Sequence, residues 1–200
     1  YEMIVRLVGS ELCIRDSNQA AKLGDLDLAT CQLVLTLFGI LAFALDAFAY
    51  AAEALVGEAI GKRNSTDLQI VIRRTNSLAA VMALGIAAIL WLGDTVIIRL
   101  FTTQAALIAH AQTHWVWVCL LAPASFMAFQ LDGIFVGATR GQDMRNAMIF
   151  STGGLGIALL LLDPWGLQGL LAAFVGYLGL RGASLWWHID RVYAQACLLY

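Results

Sequence analysis

Residues 26–60 read LDLATCQLVLTLFGILAFALDAFAYAAEALVGEAI. From Leu28 to Leu45 no charged residue interrupts the run. A helix needs about 20 mostly apolar residues to cross the hydrocarbon of a bilayer, at roughly 1.5 Å per residue. This stretch is long enough and then continues past Asp46, Tyr50 and Glu53. It is too long for one straight upright span, so a tilted or kinked helix with an interfacial end is expected.

Four further stretches follow the same logic: 75–93, 111–137, 146–162 and 167–189. The whole chain is 60% hydrophobic and 13% charged, with a mean hydropathy of +0.78. Soluble domains carry about 25% charge, so the composition predicts an all-α, polytopic membrane helix bundle. A net charge of -2 gives no electrostatic case for nucleic acid. The four cysteines are scattered, without CxxC spacing, and read as small buried hydrophobes. The opening residues 1–25 are too charged around Glu11–Asp16 to cross a bilayer and read as a truncated or aberrant segment. Residues 194–200 read as a tail.

The connections carry most of the charge. Segments 62–74 and 140–145 hold six Lys or Arg, whereas 94–104 and 163–166 hold only Arg99. Cytoplasmic loops are enriched in Lys and Arg. The pattern therefore puts loops 62–74 and 140–145 and the C-terminus in the cytoplasm. Trp186, Trp187 and Tyr193 suit an interfacial belt there. Glycines 153, 154 and 156, and 176, 179 and 182, predict close packing of the last two spans.

Acids inside such spans are costly, roughly 2.5–3.5 kcal/mol at a helix centre on insertion scales, and usually handle protons or cations. Three candidates arise: Asp132, Asp46 and Glu53. Asp46 and Glu53 are seven residues apart and project from nearly one helix face, with Tyr50 between them. Glu53 read blandly is solvated near the interface. Asp132 follows Pro123 in the same span, where a missing backbone donor favours a helix kink. Asp132 also precedes Gly133, which suggests a local helix distortion. Gln130, Phe126 and Phe129 would join Tyr50 as an amphiphilic cavity lining suited to organic cations. Arg181, deep in the last span, needs a partner or must snorkel. His110 and His114 lie one turn apart, but no third ligand is spaced to complete a metal site. No phosphate loop, nucleophile elbow or HExxH is present. No cofactor is expected.

Two segments carry a family resemblance. Residues 45–61, LDAFAYAAEALVGEAIG, and residues 131–141, LDGIFVGATRG, followed by MRNAM at 144–148, resemble motifs of the multidrug and toxic compound extrusion (MATE) family, in its DNA-damage-inducible F-like subgroup. The resemblance covers roughly residues 25–193. It implies a twelve-helix, two-lobe transporter, of which residues 26–193 would be five helices of the six-helix C-terminal lobe. It further implies a secondary antiporter of the inner (plasma) membrane, not an enzyme. Such a protein exports small organic, often cationic, compounds in exchange for protons or sodium. Its partner within the bilayer would be the missing N-terminal lobe. By the resemblance Asp132 matches an acid implicated in cation coupling; Asp46 and Glu53 fall in the other motif. Two other readings stay open: a lipid-precursor flippase, which would want a basic cavity, and a non-transporting membrane scaffold.

Overall fold

The computed structural model describes residues 24–198, and most of the atypical segment 1–25 lies outside them. Five long helices carry the fold. They are α1 (Asp25–Gly61), α2 (Ser65–Leu92), α5 (Trp115–Gly137), α6 (Gly141–Leu162) and α7 (Gly166–Trp187). Two short helices, α3 (Asp94–Phe101) and α4 (Ala105–Thr113), join α2 to α5, and α8 (Ile189–Leu198) follows α7. The described residues contain no strand. Four helical stretches are long and apolar enough to cross a membrane: Asp25–Gly61, Ser65–Leu92, Trp115–Gly137 and Gly141–Ala194. The last is a hairpin of α6 and α7 closed by the one-turn helix Asp163–Trp165. Gly166 makes that turn possible, because its φ of 58° and ψ of -136° belong to a region nearly closed to other residues.

Helices extend into most of the segments expected to be loops. The connection from α1 to α2 is only residues 62–64, so Arg73 and Arg74 stand on α2 itself. Asn64 sets this boundary. Its Oδ1 accepts from the backbone N–H groups of Thr66 and Asp67, and its amide donates to Asp67 Oδ2 at 2.7 Å. Likewise Arg140 to Arg145 is mostly the first turn of α6. There the buried Asp143 accepts from Arg140 Nε at 2.7 Å and from Arg191 Nη1 at 2.6 Å. That bidentate acid ties the start of α6 to α8. The expected tail therefore begins inside a helix.

α5 is the central element, packed against α1, α2 and α7, and α6 joins the bundle mainly through α7. The closest approach is between α1 and α5. A Cβ added at Gly133 would lie 2.9 Å from Ala49 Cα and closer still to the Ala49 carbonyl. One at Gly137 would lie 3.0 Å from Glu53 Cα and would collide with the Glu53 carbonyl. The two helices run parallel in register, Ala49 on Gly133 and Glu53 on Gly137, the small-xxx-small geometry of membrane helix pairs. Gly133 thus serves close approach rather than distortion, and α5 continues as one helix through both Pro123 and Gly133. In α6 and α7 only Gly154 and Gly182 among the six expected glycines meet a neighbour, at Leu180 and Met127; the positions of 153, 156, 176 and 179 are open.

Overpacking a tight contact typically costs about 1–3 kcal/mol, occasionally more. Gly133→Ala is expected to lower the thermal midpoint of the detergent-purified protein by that equivalent. Gly85→Ala, whose added Cβ would meet nothing within 4 Å, is expected to leave it unchanged or slightly raised.

Candidate functional site

The buried apolar side chains fall into two clusters along the bundle. One takes residues 31–45 of α1, Ala83 of α2, 115–122 of α5, Leu155 of α6 and 167–178 of α7. The other takes Ala52, Val56 and Ala59 of α1, Leu68 and Ile72 of α2, 131–138 of α5, Met144 and Ala147 of α6 and Leu185 of α7. Between them every long helix places a polar residue, Asp46, Asn76, Gln130, Ser151 and Arg181, and Asp132 joins them from the near edge of the second cluster. The polar groups thus form a layer across the bundle, with apolar packing on both sides.

The layer is organised by charge. Arg181 Nη2 donates to Asp132 Oδ2, joining α7 to α5 across 49 positions of sequence. The two side chains are only 14% and 23% exposed. Asp46 approaches the same region from α1. The α1–α5 register explains why: Asp46 is one turn before Ala49, and Asp132 adjoins the glycine that Ala49 touches. Two carboxylates and one guanidinium leave the trio with a formal charge of -1 when both acids are ionised. Ser151 is satisfied by its own helix, donating to the Ala147 carbonyl at 2.7 Å. Others in the layer are not. Asp132 Oδ1, Asn76 Oδ1 and both amide atoms of Gln130 are buried with no hydrogen bond to a described residue. A buried polar atom left so costs about 1–3 kcal/mol.

The remaining sequence candidates are dispersed. Gln130 is 1% exposed, in the layer. Tyr50 is 68% exposed and points off the bundle, while Glu53 is half-buried beside the Gly137 contact. Phe129 packs on Phe38, which meets Phe174 edge-on at 5.1 Å, so these rings belong to the apolar core. Phe126 lines a separate cavity of about 250 Å³ with Asn76, Ser77, Ala80, Met127 and Trp186. His110 Nε2 is hydrogen-bonded to Asp27 Oδ1 at 2.6 Å, and His114 Nδ1 to Thr113 Oγ1 at 2.8 Å. The first contact fastens α4 to the start of α1, and the second is local to the end of α4. Sequence reasoning identified Arg181 as needing a partner but did not join it to Asp132, and it missed Asn76. The signal for Asn76 was an amide inside a span next to the charge-free part of α2.

The MatE family model matches residues 14–162. The chain belongs to the MatE family. Among curated proteins it is 36% identical over 166 residues to DNA damage-inducible protein F of Escherichia coli (strain K12), covering 82% of this chain and 36% of that protein. It is 23% identical over 191 residues to Protein DETOXIFICATION 42 of Arabidopsis thaliana, covering 94% of this chain and 37% of that protein. Among solved structures, a eukaryotic MATE transporter, AtDTX14, superposes with a TM-score of 0.79 at 16% identity, over 86% of this chain and 40% of that one. That likeness establishes the MATE fold. The chain spans little more than a third of the length of the curated relatives it matches.

Removing one partner of a buried ion pair costs about 3–5 kcal/mol, because the other charge is left uncompensated. Arg181→Gln alone is therefore expected to lower the stability of the purified protein strongly. Asp132→Asn combined with Arg181→Gln is expected to recover most of the loss. A double-mutant cycle on thermal unfolding checks this, and additive effects would mean the two groups are not coupled.

Proposed function

We propose that the complete protein is a secondary antiporter that exports small organic, often cationic, compounds in exchange for protons or sodium, without making or breaking covalent bonds. The observation that carries this reading is the Asp132–Arg181 pair in the polar layer, with Asp46 brought towards it by the α1–α5 contact. Asp132 is the principal coupling acid. With both acids ionised the trio holds one uncompensated negative charge, the condition for taking up a proton or a cation in a low-dielectric interior. Proton or cation arrival weakens the hold of Asp132 on Arg181 and so loosens α5 from α7. That is a local change able to bias a rocking motion between two lobes. Asp46 assists from the α1 face, and Glu53 stands one turn past the helix contact. Tyr50, on the exposed face of α1, is the proposed substrate contact, whereas Gln130 stands in the polar layer, Phe126 on its separate cavity and Phe129 in the apolar core, and Pro123 supplies a point of bending in α5. The exposed face bearing Tyr50 is turned towards an N-terminal lobe. In this reading the protein lies in the inner (plasma) membrane, and the Lys and Arg of the connections support 62–74, 140–145 and the C-terminus as the cytoplasmic side.

A lipid-precursor flippase would need free cationic groups inside the bundle. Arg181 is the deep cation of this layer, and it is committed to Asp132. A non-transporting scaffold would keep the pair for folding only. The deciding test is efflux of a fluorescent organic cation by cells or vesicles carrying the complete protein. Asp132→Asn, at matched expression, is expected to remove the dependence of efflux on an imposed pH or sodium gradient. Gradient-driven efflux that survives Asp132→Asn would overturn the role of Asp132; no efflux by the wild type would favour the scaffold.

A further inference from the structure

α2 is the least buried of the membrane-spanning helices. Its exposed face is apolar over most of its length: Leu78, Val81, Met82, Leu84, Ile89 and Leu92 are all exposed. The face changes character at one end. Arg73 and Arg74 are exposed there, and neither makes an ion pair with a described residue. With Ile70, Ser77 and Leu78 they line an open groove of about 570 Å³. Arg74 and Leu78 are one turn apart, and Met82, Gly85, Ile89 and Leu92 continue the same stripe at helical spacing. Gly85 leaves a dip in that stripe, since nothing lies within 4 Å of where its Cβ would be. From Arg74 to the exposed Trp91 the helix rises about 25 Å at roughly 1.5 Å per residue, close to the hydrocarbon thickness of a bilayer, roughly 30 Å. The arginines thus stand at one headgroup level and Trp91 at the other, where indole rings concentrate.

We propose that this groove is a binding site for an anionic phospholipid. The guanidinium groups of Arg73 and Arg74 hold the phosphodiester, each able to donate in a bidentate fashion. The Ser77 hydroxyl stands one turn along from Arg73. An acyl chain runs down the stripe over Leu78, Met82 and the dip at Gly85. Charge complementarity selects the lipid class. Two unneutralised cations beside an apolar track suit a headgroup with net negative charge, and a zwitterionic headgroup brings an ammonium group that opposes them.

The test is native mass spectrometry of the complete protein, released from detergent with added phosphatidylglycerol or phosphatidylcholine. Wild type is expected to retain phosphatidylglycerol several-fold more than phosphatidylcholine. Arg73→Gln with Arg74→Gln is expected to erase that preference. Lys62→Gln with Arg63→Gln, which alters nearby charges outside the groove, is expected to keep it. All four side chains are exposed, so folding is checked by an unchanged thermal midpoint. The proposal is overturned by any of three results. These are no preference in the wild type, a preference kept by the Arg73/Arg74 variant, and a preference lost equally by the Lys62/Arg63 variant, which would make the effect one of general surface charge. Displacement of the lipid by inorganic phosphate at millimolar concentration would also overturn it, in favour of a free-anion site.

Discussion

The α1 and α5 backbones touch at Ala49–Gly133 and Glu53–Gly137, and the rest of the bundle is arranged around that contact. In lipid there is little hydrophobic drive to bring two helices together, so van der Waals fit between small residues decides which faces meet. Here the fit has a chemical consequence. Gly133 is bonded to Asp132 in sequence, and Ala49 stands one turn from Asp46. The closest point of the bundle therefore delivers two acids to one neighbourhood, and α7, also packed on α5, brings Arg181.

The resulting layer is a compromise between two demands. Apolar clusters on either side hold the helices by close packing. Between them lies a set of polar groups that do not fully satisfy one another. A fully satisfied network would only add rigidity. Groups left short of partners, together with an odd charge, are what the proposed exchange of protons or ions rests on. The helices themselves gain nothing from keeping them. At both ends of the bundle the polar contacts are of another kind: His110 with Asp27 at one, and Arg140 and Arg191 on Asp143 at the other. These are fastenings between elements, made by groups with satisfied geometry.

The long helices were legible because their apolar runs match the length that a bilayer imposes. The acids were legible because they break those runs. Boundaries were less so. Arg73, Arg74 and Arg145 read as loop charges, yet they extend helices, since Arg is a good helix former and its long side chain reaches water from a helix end. Facing was least legible. A helix that is apolar all round carries no stripe to say which side meets a neighbour. This is why Gly153, Gly156, Gly176 and Gly179 looked like packing sites, while the contact that matters used Gly133 and Gly137. The Asp132–Arg181 pair could not be read from spacing, because 49 residues and a helical hairpin separate its members. Only the need of each for a partner was visible.

The central claim is that Asp132 changes its protonation or ion-bound state within the layer while Arg181 holds its ionised form. Infrared difference spectroscopy of the complete protein in a bilayer, between acidic and neutral pH, addresses it most directly. The account predicts a protonated-carboxyl band that appears on acidification and is lost in Asp132→Asn, with a shifted transition in Arg181→Gln. A band unchanged by Asp132→Asn, or a transition indifferent to Arg181, would contradict it.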